Sequence, residues 1–401
     1  MSFEGKSSPA RSVQKHYLGD VPSGQSIKHN RLNEFRGVFV VSYFFPAIVS
    51  ARRAMTALCA LVFISAAVNL FGQTEDKPVP ILTGNIGTFS FVTGGQNLID
   101  TQINPVLLLP LGDRWLIESR AEFEGQFQRP AGGGPYAGPV TKHVDYAQVD
   151  YIANPYLTIT AGRFLTPFGI FNERLYPVWI RFLQPDPLTL PIRTAPSDGA
   201  MFRGGFPVSG KSNMNYAAYV SATSIGMDSV DSERHVGGRL GFFFPGARLE
   251  VGGSFQRTLQ DGRKNAFGFH MGWQPTKLPL SVRAEYARAF EGSGYWAEGA
   301  YRLSQMHHWQ RAMRRTEFVG RAQQFFVGAI GSDADGALGL PIANTREADF
   351  GVNYFLHDGM KGIFSYGRQF SSAGNFNQWS VGLAYRFLVP LGHAGAPTEA
   401  K

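Results

Sequence analysis

From residue 86 onward, apolar and polar residues alternate with the period of an extended strand. In Trp115–Gln128, Trp115, Ile117, Phe123 and Phe127 share a face with Ser119, Ala121 and Gly125. The opposite face reads Leu116, Glu118, Arg120, Glu122, Glu124, Gln126 and Gln128. A row that polar suits no protein core, and the segment is long for a strand of a soluble sheet. The same parity sets Leu280, Val282, Ala284 and Tyr286 against Ser281, Arg283, Glu285 and Ala287. It sets Tyr295, Ala297, Tyr301 and Leu303 against Trp296, Glu298, Ala300 and Arg302, and Ala348, Phe350, Val352 and Tyr354 against Glu347, Asp349, Gly351 and Asn353. Further alternating segments lie at 144–151, 156–162, 201–208, 214–222, 236–244, 249–255, 267–273, 317–323, 363–370 and 378–387, with weaker ones at 86–93 and 103–109.

Turn signals separate these segments: Gly112-Asp113, Asn154-Pro155, Pro245-Gly246, Asp261-Gly262, Gln274-Pro275 and His357-Asp358-Gly359. Short turns alternate with longer polar connections over 129–141, 164–199, 223–235 and 331–346. A large apolar row beside a small or charged one suits a wall between lipid and a polar lumen. Hydrocarbon makes each unpaired backbone N–H or C=O cost several kcal/mol, so such a sheet must close on itself. The pattern therefore predicts an all-β fold: a transmembrane antiparallel up-and-down β-barrel of about 16 strands, any even number from 12 to 18 being compatible. At that size the lumen is too wide for wall side chains to fill and holds water, a loop or both.

The last alternating segment carries Trp379, Val381, Leu383, Tyr385 and Phe387 on one side and Ser380, Gly382, Ala384 and Arg386 on the other. The order Ser380, Gly382, Tyr385, Phe387 resembles the closing-strand signal of bacterial outer-membrane barrels. The resemblance implies that these four residues address the chain to barrel-assembly machinery, with residues 388–401 following as a tail.

Composition sharpens this picture. With 47 Gly, 33 Phe and 15 Tyr but only 17% charged residues, the chain is rich in strand and turn formers and poor in helix-surface residues. The net charge of +8 is concentrated in residues 1–72, which hold 8 of the 38 basic and 3 of the 30 acidic groups, leaving the rest at +3. That is weak ground for nucleic-acid binding, which needs a basic face on the folded domain. Residues 1–54 read as a disordered leader or a mis-called start, and 55–72, with Arg52-Arg53 before an apolar run, as a signal peptide. Residues 73–85 then form the mature N-terminal segment and 86–387 the barrel. The single cysteine, Cys59, falls in the signal region, so no disulfide framework is available to the barrel.

The most distinctive stretch is 162–177, GRFLTPFGIFNERLYP. Through Gly162-Arg163-Phe164, Thr166-Pro167-Phe168-Gly169 and Asn172-Glu173-Arg174 it resembles the phosphate-selective porin O/P-like family and related trimeric porins of Gram-negative bacteria. The resemblance implies a loop that folds into the lumen, with Arg163, Glu173 and Arg174 as constriction candidates, and a homotrimer in the outer membrane in contact with lipid and lipopolysaccharide. The predicted lumen carries Arg120, Arg203, Arg239, Arg283, Arg302, Arg321 and Arg386 against Glu118, Glu122, Glu124, Asp150, Glu285, Glu298, Glu317, Glu347 and Asp349. Mixed signs point to a transverse field and weak ion preference, not to the basic ladder that phosphate selectivity would need.

Arg288 and Arg368 fall on the lipid parity, which calls for snorkelling at a rim, an early strand end or a reversed face. Gln305 to Arg315, QMHHWQRAMRR, reads as a short loop helix or a basic patch near lipopolysaccharide phosphates. Its adjacent His307 and His308 have no second ligand cluster in the sequence to make a metal site, and no cofactor motif or nucleophile elbow is present. His143 and His235 are the histidines an outer-membrane barrel enzyme would draw on, and the sequence pairs them with nothing. The expectation is an outer-membrane porin passing small hydrophilic solutes or ions, not an enzyme. Its rivals are a barrel whose loops bind a surface partner and a barrel enzyme.

Overall fold

The computed structural model describes residues 79–130, 133–222, 234–259, 263–306, 309–328 and 339–391. The leader, the signal region, Asp261-Gly262, His307-His308 and most of the C-terminal tail lie outside the described residues.

Sixteen antiparallel strands each pair with their sequence neighbours, and β1 (Ile81–Thr93) closes the barrel against β16 (Phe376–Pro390). Between them run β2 (Gln96–Leu111), β3 (Trp115–Gln128), β4 (Val140–Asn154), β5 (Leu157–Phe164), β6 (Ser197–Ser209), β7 (Ser212–Ser221) and β8 (His235–Phe244). The circuit continues through β9 (Leu249–Thr258), β10 (Asn265–Trp273), β11 (Leu280–Arg288), β12 (Gly292–Arg302), β13 (Thr316–Val327), β14 (Thr345–His357) and β15 (Met360–Ser371). The barrel therefore runs from Ile81 to Pro390, wider at both ends than 86–387. Closure itself extends it. Ile81 pairs with Pro390 and Leu82 with Val389, ladder bonds that keep backbone groups satisfied where side-chain alternation has already faded.

The faces are inverted relative to a soluble sheet. Phe350 on β14 is 65% exposed while the adjoining Asp349 is 1% exposed. The outward rows carry an aromatic girdle at each end, which is where amphipathic and aromatic side chains sit at a lipid–water boundary. Trp115, Trp273, Tyr301, Tyr354 and Tyr385 stand near the end where β1 begins, and Phe255, Phe267, Phe326, Phe370 and Trp379 near the other.

Connections at the end where β1 begins are mostly tight, such as 112–114, 155–156 and 210–211, whereas 129–139, 165–196 and 328–344 lie at the opposite, loop end. The connection 303–315 is an exception: it holds the helical turn Gln310–Met313 yet lies at the tight-turn end. It agrees with the short loop helix expected of 305–315 and shares an end of the barrel with Ile81 and Pro390. The alternation of connections decides this, because a segment between an even and an odd strand must return to the side on which β1 starts.

Arg288 is the last residue of β11, exposed at the loop-end rim. Arg368 points outward three residues from the end of β15, where its Nη1 donates to Asn377 Oδ1 at 2.7 Å and its guanidinium lies over Phe370. Both resolve as rim positions.

Candidate functional site

The segment 165–196 between β5 and β6 folds into the lumen. Its entry depends on Gly169, whose φ of +67° belongs to the left-handed region and whose absent Cβ would meet the Glu285 carboxylate at 2.3 Å. With that approach open, Glu285 Oε2 accepts the backbone N–H of Ile170 at 2.7 Å and of Phe171 at 3.3 Å, and Ser254 Oγ accepts that of Gly169 at 3.1 Å. A π-helical turn, Phe171–Leu175, follows.

Beyond the turn the segment runs across the wall of β11 to β15. Phe171 stacks edge-on against Trp296, Leu183 packs on Ala300 and Val319, and Gln323 Oε1 accepts the N–H of Leu188 at 2.9 Å. Asn353 Nδ2 donates to Phe182 O at 3.0 Å, and Lys361 Nζ to Arg181 O at 2.6 Å. Val178 reaches Phe89 and Ile363. Phe168, Phe171, Val178 and Leu183 are all buried. Burial stabilises by roughly 1.5–3 kcal/mol per large apolar side chain, against about 0–1 for an ion pair at a water boundary, so apolar contact fixes the segment more than its charges do.

Arg181 organises the deepest part. It bonds Tyr176 O through Nε and Asp186 Oδ1 through Nη1 at 2.7 Å, and its guanidinium lies 4.6 Å from the Tyr176 ring centroid. Burial works against its charge, but Asp186, Tyr176 and Glu122 outweigh that and raise its pKa. Burial pushes the Tyr176 hydroxyl well above the usual tyrosine range, with Glu122 adding to the effect, so it stays neutral. Neither residue was singled out in the sequence, where nothing distinguishes a lumen arginine from one in a surface loop.

The three constriction candidates separate. Glu173 pairs with Arg239 on β8, and Arg174 Nη1 lies 2.8 Å from both carboxylate oxygens of Glu250 on β9. Arg163 does not join them. It is still in β5, on the outward row of Ile159 and Ala161, and grips Asp198 of β6 with Nε to Oδ1 at 2.9 Å and Nη2 to Oδ2 at 3.0 Å. The loop starts after Phe164, so Arg163 keeps strand parity and braces the sheet.

The predicted lumen residues Glu118, Arg120, Glu122, Glu124, Arg203, Arg239, Arg283, Glu285, Glu298, Arg302, Arg321 and Arg386 all lie on inward rows, but in unlike surroundings. Arg283, Glu298 and Arg321 are buried beneath the loop, where Arg321 Nε meets Asp349 Oδ2 at 3.0 Å and Arg283 lies 3.3 Å from the Phe182 ring centroid. Arg302 and Arg386 lie at the tight-turn end, over Phe355 and Trp179. Arg203 has a side-chain exposure of 39% and Arg174 37%, and Glu118 and Glu124 are half-buried, so open lumen borders β3, β4, β6 and β9. His235 Nε2 lies 2.8 Å from Ser197 Oγ, both side chains being buried, a pairing that nothing in the sequence announces. Of the four residues expected to form an assembly signal, Ser380 faces inward and is buried, Tyr385 is exposed on the outward row, and Gly382 lies against Thr88 and Phe89. Phe387 pairs with Gly84.

Sequence parity missed a grouping on β3 and β4. The pairing shifts register between Arg120 opposite Tyr146 and Ala121 opposite Val144, so Asp145 is a bulged residue without a partner on β3. The bulge turns Asp145 inward beside Arg120 (Nε to Oδ2, 2.8 Å) and His143 (Nε2 to Oδ1, 3.1 Å). Strict alternation places Asp145 outside, which is why it was not read as lumen.

No family model matches the chain, and no curated relative does. Solved structures do. The structure of OmpF of Salmonella typhi in complex with daunomycin aligns at TM-score 0.52 and 12% identity over 77% of this chain and 97% of that one. Outer-membrane expressed OmpT of Vibrio cholerae aligns at TM-score 0.50 and 10% identity over 79% of this chain and 100% of that one. At such identities the likeness is one of fold. The chain has the closed antiparallel β-barrel fold of these outer-membrane proteins.

Proposed function

We propose that this chain is a passive, water-filled channel of a Gram-negative outer membrane, passing small hydrophilic solutes or ions without catalysis. The observation that carries the reading is the in-folded segment 165–196, which packs on β11 to β15 yet leaves charged side chains of β3, β6 and β9 facing open lumen. A segment so placed narrows a pore. The tight-turn end, with both barrel termini, faces the periplasm in this reading, and the long loops face outward.

Both signs border the open side: Arg174 and Arg203 against Glu118, Glu124 and Glu250. That mixture supports weak ion preference, and it lacks the basic ladder that the selectivity of the phosphate-selective group would need. The resemblance of 162–177 to that group supports a homotrimer inserted by barrel-assembly machinery.

Purified protein in a planar bilayer is expected to give discrete ohmic steps. A folded, heat-modifiable barrel that stays silent would refute the channel. Reversal potential in a salt gradient is expected near zero, and strong anion selectivity would contradict the mixed lumen. Mass measurement in detergent is expected to give three chains per particle.

A further inference from the structure

The β4 bulge gathers donor atoms that the channel reading leaves without a role. His143 is the cross-strand partner of Glu122, and the bulge adds Asp145 to the same inward spot. His143 Nε2 lies 3.1 Å from Asp145 Oδ1 and 3.4 Å from Glu122 Oε2, and the three donors all lie within 4.8 Å of one another. Three ligands on arms of about 2.0–2.2 Å around a tetrahedral ion stand about 3.3–3.6 Å apart, which is close to these edges.

A second observation is independent of the spacing. Glu122 is only 1% exposed, yet its Oε2, the oxygen turned to the cluster, has no hydrogen bond of normal geometry, His143 Nε2 approaching it only to 3.4 Å. A buried carboxylate oxygen without a donor is costly, and a bound cation would satisfy it. Arg120 does not fill that role, being 3.9 Å from Glu122 Oε2 and committed to Oδ2 of Asp145 at 2.8 Å. The other Asp145 oxygen, Oδ1, faces His143. The next acidic groups, Asp100 and Glu124, are bridged by Gln102 Nε2 at 3.1 and 3.4 Å and add negative charge to this wall.

We infer that Glu122, His143 and Asp145 form a site for a borderline divalent cation of the Zn2+ type on the lumen wall. One imidazole with two carboxylates suits such an ion, whereas Ca2+ wants six or more oxygens and Mg2+ keeps most of its water. The His143 side chain, 49% exposed, gives the ion its route in, and the fourth position is left to solvent. A cation held here would offset the acidic side of the lumen, tying the site to the channel's ion preference.

The test is calorimetric titration of Zn2+ into the detergent-purified protein after chelator treatment, a readout that does not depend on conductance. One ion per chain is expected, with affinity weakened at least about ten-fold by His143→Gln and by Glu122→Gln, since even residues that merely orient ligands cost that much. The double change His307→Ala with His308→Ala is expected to leave binding intact. No saturable binding, equal affinity in His143→Gln, or loss of binding in the double change would each overturn the site. If Glu122→Gln fails to give a heat-modifiable barrel, the half-exposed His143→Gln decides.

Discussion

The two sides of the lumen use the same side chains to different ends. On the β11–β15 side, Asp349 is 1% and Asn353 0% exposed, and their partners are Arg321, Gln323 and the carbonyl of Phe182. On the β3–β9 side, Arg203 and Arg174 border open lumen and their carboxylates, Asp150 and Glu250, hold them at 3.7 and 2.8 Å. An arginine beneath the loop is a structural tie in a low-dielectric contact, and one beside water is a charge an ion can feel. Inward parity does not separate the two, whereas the covering loop does.

The comparison breaks most completely if the covering is removed. Arg181→Met deletes the Asp186 pair and the bond to Tyr176 O while keeping side-chain volume. It is expected to free the deep part of the loop and raise single-channel conductance several-fold with noisy transitions, and an unchanged current would show that the loop is held without it.

Next in size is Arg321→Met. It leaves the buried Asp349 carboxylate without its guanidinium and is expected to destabilise the barrel by about 3–5 kcal/mol, read as a lower temperature of heat-modification. The open side gives the contrast. Arg203→Gln is expected to cost less than about 1 kcal/mol, since Asp150 keeps its bonds from Thr160 and Gln148, and to move the reversal potential toward cations, because a half-exposed lumen cation is lost. If both arginine changes shifted the reversal potential equally, the division of the lumen would fail. The smallest effect on current belongs to Arg163→Gln, whose guanidinium braces Asp198 on the outward row: conductance and reversal potential are expected to stay at the parent values.

Much of the barrel is legible in one dimension because lipid outside and water inside impose a strict period of two on every strand. Phe350 beside Asp349 and Trp379 beside Ser380 announce their faces before any pairing is known. The strand count of sixteen follows from the same alternation, and the sixteen charged wall residues predicted from parity all lie on inward rows. The ends were less legible, since Ile81 to Asn85 and Leu388 to Pro390 join the sheet through backbone pairing that side chains do not advertise.

Three things the tertiary structure alone decided. The bulge at Asp145 breaks the period locally, and a register shift depends on which strand lies alongside. Arg163 stays outside because β5 persists two residues past Gly162, so the loop begins later than its motif. The sorting of lumen charges into ties and water-facing groups depends on where residues 165–196 come to rest, on contacts such as Leu188 with Gln323, 135 positions apart. Alternation is a property of each strand by itself, and the sequence by itself determines it. What covers a wall is a property of distant segments meeting, and no period along the chain encodes that.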